Sequence, residues 1–394
     1  MQASQVPDAP LPLQQGEEVA LQGGASSSDS VVIHPFLHSP LPMLPEPLDF
    51  GIELDAFIAP SRKKAGRRGL RLLTQARQDL GAELASSANL GSSMRVDVVQ
   101  ARYLGLLLAL IGQQDAEKGG GLDPGSPFRS AARYVWRGGP RPHWASSDAI
   151  LEVVAALMAR STALMRAAAA ACVDAASGVR TPAAMQVGWD GAGPGHLFWA
   201  RTSMDMGTAY KYLLAAAGQL ETAKDRLLPH LPPEDPSVAA EAAAVSALSQ
   251  HCLAEAQYLT TLRAIAKGTS PTLIASLAAE AASLYAASSE ALAQAGAVAP
   301  KLGRYAEYRA GTLRALSLTF MALVQWRSPG GAGGARATAA EALRVWAAAK
   351  AAATAYDAAE PRTLNLDHRR SDEVGAGCVV LDLSGCACTW QKLW

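Results

Sequence analysis

Residues Leu253 to Tyr285 read LAEAQYLTTLRAIAKGTSPTLIASLAAEAASLY. This stretch holds two helices and the turn between them. Lys267-Gly268 ends the first helix, with a cation in the last turn and a glycine free to take the left-handed cap. Ser270-Pro271 starts the second at once, the serine as N-cap and the proline at the first helical position. Two long helices joined by so short a turn fold back on each other as an αα-hairpin. Leu273, Leu277, Ala281 and Leu284 run at steps of four, four and three, a helical stripe. Periodicity alone makes Leu273 and Leu277 core leucines one turn apart.

The same pattern extends in both directions. Asp235-Pro236 caps the first helix at its start. Leu313, Leu316, Phe320 and Leu323 form another stripe at steps of three and four. Helices are expected near 63–87, 93–114, 147–176, 203–230, 236–267, 271–295, 299–327 and 336–358. Helices of 25 to 30 residues are about 40 Å long. Such antiparallel pairs stack side by side, so the expected fold is all-α, an elongated helical solenoid with a tetratricopeptide-like core. No strict 34-residue consensus is present, which argues against an ordinary tetratricopeptide array.

Composition agrees. Of 394 residues, 49% are apolar and 18% charged, enough for a large core and against wholesale disorder. Thirty-five basic and 35 acidic residues cancel, which argues against a dedicated nucleic-acid binder. The five cysteines are odd in number and widely spread, so a reduced, cytosolic chain is expected. The beginning of the sequence does not read as a signal or transit peptide. No apolar run of membrane-spanning length stands out, the best being Tyr103 to Ile111. Residues 1–46 read as a flexible Pro/Ser/Gln-rich leader that docks, if anywhere, near Val31–Phe36. Residues 47–360 form the helical domain and 361–394 a tail of different character. Cys378 to Leu383 could form a lone strand there. Gly-rich stretches at 118–127, 188–195 and 329–334 read as connections.

Little in the chain suggests catalysis. Gly191-Ala-Gly-Pro-Gly-His196 follows no apolar strand and lacks the Lys-Ser/Thr of a phosphate loop. Cys386 and Cys388, with Cys378 and His368, lack paired metal-ligand spacing, and Pro35 separates His34 from His38. No hydrolase elbow or metalloprotease pair occurs. The expectation is a non-enzyme with no metal, no cofactor and no small-molecule substrate. One dense basic cluster stands out: Arg62, Lys63, Lys64, Arg67, Arg68 and Arg71. It is either a solvated helix face or a contact for acidic lipid or an acidic partner.

The quoted segment also resembles a family. LAEAQ, then an Arg263-Ala264 pair, a short turn and Leu273-Ile-Ala-Ser-Leu-Ala278 is similar, without gaps, to the signature stretch of the Bro domain family. The likeness is nearest to Brox-like, stand-alone members of plant type. Further matches are Ala209 to Leu228 with Tyr212 and the Pro229-His-Leu-Pro232 turn, Lys301 to Trp326 with Tyr305 and Tyr308, and Thr338 to Ala358 with Glu341-Ala-Leu-Arg344. The resemblance covers about 45–360, most strongly from 203 onward. It implies a curved, banana-shaped helical domain that is not an enzyme. It implies a role as adaptor for the C-terminal amphipathic helix of an ESCRT-III subunit of the Snf/charged multivesicular body protein type. It also implies a cytoplasmic location with peripheral recruitment to endosomal membranes. The family's groove contacts, carried over, fall on Thr260, Leu273 and Leu277. Some members have Phe at the first position, where this chain and Brox-like members have Thr. Brox-like members also end in a prenylation box. Here Cys388 lies seven residues from the end instead of four, so prenylation is not expected. The rival reading is a membrane-surface scaffold working through residues 62–71, or an unrelated helical-repeat module.

Overall fold

A computed structural model describes residues 31–33, 42–58, 60, 63–86, 93–112, 128–139, 143–172, 185–187, 197–199, 206–295 and 300–358. Helix α1 spans Phe50–Leu54 and continues as a 3-10 turn, Asp55–Phe57. Next come α2 (Lys63–Ser86), α3 (Ser93–Gly112) and α4 (Ala149–Cys172). The remaining helices are α5 (Met206–Thr222), α6 (Pro236–Ala266), α7 (Pro271–Gln294), α8 (Pro300–Trp326) and α9 (Ala332–Ala358). From α4 onward the helices pack mainly on their sequence neighbours, giving the solenoid-like stack the stripes implied.

The caps behave as their chemistry requires. Asp235 accepts from the Ser237 amide at 2.8 Å and Ser270 from the Leu273 amide at 3.3 Å. Gly268 takes φ +62°, the left-handed region that a side chain would resist. The expected helix over 203–230 is interrupted. After Thr222 the chain widens into a π turn, Ala223–Leu227, and closes with a 3-10 turn, Leu228–His230. Pro229 has no N–H with which to continue an α-helix. The Gly-rich connection expected at 329–334 is shorter than read: α9 already begins at Ala332.

Two small antiparallel sheets accompany the helices, which the sequence reading did not expect. In one, β1 (Val31–Ile33) pairs with β5 (Met185–Val187), which pairs with β6 (Leu197–Trp199). In the other, β2 (Met43–Pro45) pairs with β3 (Tyr134–Gly138), which pairs with β4 (His143–Ser146). β2 falls within the stretch read as leader, and its Met43 is buried. Trp136 and Tyr134 both point inward, two residues apart, while Gly138 takes φ +82° at a place where a Cβ would strike the Pro42 carbonyl, so only glycine fits.

The second sheet is bound to the helices through one buried carboxylate. Glu152 of α4 accepts from Tyr103 Oη at 2.6 Å, Trp136 Nε1 at 2.6 Å and Arg77 Nε at 3.0 Å. Arg77 also donates to the carbonyls of Glu46 and Val135. Four elements thus meet on a single charge-assisted network. Burial, reinforced by the Glu152 charge, holds the Tyr103 phenol well above its ordinary pKa.

Helix α4 corrects one expectation. Contrary to the reading that no stretch reaches spanning length, Ala149–Cys172 is long and apolar enough to cross a membrane. It passes because its alanines dilute Glu152, Arg160 and Arg166. In the fold it is a core helix, most of its residues buried.

Candidate functional site

Helix α6 is buried on almost every side. Its partly exposed residues include Ser246, Gln250, Leu253, Gln257 and Thr260, spaced four, three, four and three, so they share one stripe. The neighbours on either side are fixed by polar contacts. Gln257 Nε2 donates to Glu280 Oε2 of α7 at 2.9 Å, and Ser288 Oγ of α7 donates to the Ala247 carbonyl at 3.0 Å. On the other flank, Ser249 Oγ donates to Glu221 Oε1 of α5 at 2.5 Å. The α6 stripe therefore runs between α5 and α7, a three-helix face that we term the trough.

The register of these contacts sets which residues share a level. Thr260 lies opposite Leu277, and Leu253 opposite Leu284. On the α7 wall Leu273 is 47% exposed, while Leu277 and Leu284 are half-buried against the core. Thr260 is half-buried, and its hydroxyl donates to the Ala256 carbonyl of its own helix at 3.0 Å. The hydroxyl is thereby satisfied locally and the methyl is left for contact. On the α5 wall, Tyr210 and Leu214 stand on the same side of the helix as Glu221 and are 38% and 40% exposed. Thr260, Leu273 and Leu277 thus lie on the α6 and α7 part of this face, with Leu277 as much a core residue as a surface one.

Sequence reasoning did not single out Tyr210 and Leu214. Their signal was available: the buried positions of α5 run through Ala209, Leu213, Ala216 and Leu220, which leaves these two large apolar residues off the core face.

Behind α6, on the side away from the trough, a polar cluster is sealed in. His251 Nε2 lies 3.4 Å from Glu255 Oε1. The His251 ring packs against Tyr285 and Tyr305, with centroids at 5.8 and 5.7 Å. Arg309 of α8 lies over the rings of Tyr258, Tyr305 and Tyr308. Burial acts to lower the Arg309 pKa, yet the surrounding tyrosines hold it well above the ordinary value. These groups lock α6, α7 and α8 together and so hold the trough floor rigid.

The basic cluster lies elsewhere, at the start of α2. Lys63, Lys64, Arg67, Arg68 and Arg71 are exposed, and Arg62 falls outside the described residues. Arg67 is held by a two-pronged ion pair to Asp55, at 2.6 and 2.7 Å. The glycine loop at 191–196, His34 and His38, the strand expected at 378–383, and His368, Cys378, Cys386 and Cys388 also lie outside the described residues.

Antiparallel helices stacked on their sequence neighbours define a solenoid-like helical scaffold. The family comparison is more specific. Residues 199–372 match the family model described as a BRO1-like domain, the family that the signature stretch resembles. Three solved structures share its fold. ALIX in complex with the SIVmac239 PYKEVTEDL late domain matches at TM-score 0.52 and 16% identity over 86% of this chain. The chain spans only 44% of that relative's length. A structure described as the basis for endosomal targeting by the Bro1 domain matches at 0.51 and 16% identity, covering 80% of this chain and 78% of its own. The ALIX BRO1–CHMP4C complex matches at 0.50 and 15% identity, covering 86% and 85%. No curated protein matches the sequence.

Proposed function

We propose that the protein is a non-enzymatic adaptor that receives an amphipathic partner helix in the α5–α6–α7 trough. The observation that carries this reading is the furrow itself. Tyr210 and Leu214 stand half out of one wall, Leu273 half out of the other, above a floor of Leu253, Gln257 and Thr260. A helix that lays an apolar face there buries what the fold leaves wet. The partner is the C-terminal helix of an ESCRT-III subunit of the Snf/charged multivesicular body protein type, and recruitment is to endosomal membranes. Support comes from the BRO1-like match and from two fold relatives, one a complex of ALIX BRO1 with CHMP4C and one described by endosomal targeting.

Micromolar affinity, about −8 kcal/mol, suits such a site, because ordering a flexible tail offsets part of the burial. Thr260 supplies a methyl where some family members carry an aromatic ring, so the floor grips less than theirs. The test is a pull-down with the tail helix as a tagged peptide. Leu273→Asp and Leu277→Asp should each abolish capture. Since Leu277 also packs on the core, Leu273→Asp with unchanged helical circular dichroism is the decisive arm. Capture that survives it refutes the trough assignment.

A further inference from the structure

The start of α2 is poorly explained by the needs of the fold. Its first nine residues carry five cations, and no carboxylate appears in the helix before Asp79. Cations at a helix N-terminus oppose the helix dipole. Lys63 and Arg67, Lys64 and Arg68, and Arg67 and Arg71 are like-charge neighbours one turn apart, which is unfavourable again. Asp55 answers Arg67. Lys64, Arg68 and Arg71 form no ion pair with any described residue and are exposed.

A second feature lies alongside. The α1 segment and its 3-10 turn lie along this end of α2, held by the Phe50 amide donating to Thr74 Oγ1 at 3.1 Å and by the Asp55–Arg67 pair. Ile58 presses so closely on Gly66 that a Cβ there would fall 2.6 Å from its Cγ2. This packing turns Ile52 outward, 78% exposed, with Phe57 at 45%. Apolar side chains so exposed beside uncompensated cations are costly in water. They suit the boundary of an acidic bilayer, where head groups meet acyl chains. The carboxylates bordering the patch are Asp49, Glu53 and Asp55. Asp55 is engaged by Arg67, which leaves Asp49, the cap of α1, and Glu53 as the bordering negative charges set against Lys63, Lys64, Arg68 and Arg71.

We propose that this patch docks on an anionic lipid bilayer, with Lys64, Arg68 and Arg71 on the head groups and Ile52 and Phe57 entering the boundary layer. The patch lies on elements separate from the trough, so membrane contact and helix capture operate at once.

The test is sedimentation of the full chain with vesicles of phosphatidylcholine, with and without phosphatidylserine. Binding is expected only with phosphatidylserine and is expected to weaken as salt rises. Lys64→Ala with Arg68→Ala should lower partitioning about twenty-fivefold, fivefold per charge. Ile52→Ser with Phe57→Ser, which leaves the charge unchanged, should lower it about tenfold. All four side chains are exposed, and both variants should still capture the tail peptide in the trough, which shows that they are folded. Equal sedimentation with both vesicle types overturns the proposal. So does full binding by the Ile52→Ser, Phe57→Ser variant. Binding to polyglutamate as tight as to acidic vesicles assigns the patch to an acidic protein and overturns it too.

Discussion

Leu273→Asp isolates the trough from the fold. Complete burial of a leucine is worth about 1.5–3 kcal/mol. Leu273 is 47% exposed in the free protein, so the partner can add about half of this, about 1 kcal/mol. A carboxylate in its place also loses water when an apolar helix covers it, which costs a further 1–2 kcal/mol or so without a hydrogen-bonding partner. Together these amount to about 2–3 kcal/mol, a loss of roughly thirty- to 140-fold in affinity. The fold should not suffer. The position lies in the first turn of α7, just after the Ser270 cap, where a negative charge favours the helix dipole. Calorimetric titration of both proteins with the tail peptide reads the change. An unaltered Kd alongside unaltered circular dichroism refutes the reasoning, because it shows that the partner never reaches this wall. A fall in helicity refutes the other half, that Leu273 is dispensable to the core.

Other outcomes follow from the same geometry. Tyr210→Ser should weaken the tail peptide about tenfold in the same titration, since the α5 wall loses its ring; equal affinity would confine the contact to α7. Thr260→Phe should tighten binding several-fold by adding an aromatic to the floor, and weaker binding would show that the floor has no room. Glu152→Ala strands the buried Arg77 guanidinium and two further donors, Tyr103 and Trp136, so stability should drop by about 3–5 kcal/mol, read as a lower urea midpoint. An unchanged midpoint would show that the network is dispensable. Cys252 is buried and its thiol is pushed up by burial and then by the nearby Glu255 charge. Alkylation mapped by mass spectrometry should leave Cys252 unmodified in native protein near neutral pH and label it in urea. Native labelling would mean that α6 opens readily.

Much of the helical body could be read directly because its boundaries have local causes. Asp235-Pro236, Lys267-Gly268 and Ser270-Pro271 each satisfy or terminate a hydrogen-bond ladder through their own chemistry, and the two ends of α6 and the start of α7 fall within a residue of these signals. The sheet formed by β2, β3 and β4 escaped for the opposite reason. Met43–Pro45 is three residues long, and its partner lies some ninety residues along the chain, so neither length nor spacing announces the pairing. Tyr134 and Trp136 did carry the period-two pattern, beside glycines suited to the turn. The Glu152 network was illegible because Arg77, Tyr103, Trp136 and Glu152 belong to four elements that only the fold brings together.

The trough was half legible. The family signature pointed to Thr260, Leu273 and Leu277, and periodicity alone would have placed both leucines in the core. The structure divides them: Leu273 stands out at the first turn of α7, and Leu277 leans into the α6–α7 seam. Tyr210 and Leu214 needed the α5–α6 register, which the Ser249–Glu221 contact supplies and no local pattern reveals.

Site-specific photocrosslinking tests the central claim most directly. A benzophenone amino acid placed at Leu214 on one wall, or at Leu273 on the other, should trap the ESCRT-III tail helix through its apolar face. The same probe at Arg304, on the exposed surface of α8, should trap none. Equal trapping at Arg304, or trapping at neither wall by a peptide that still binds, would contradict the account.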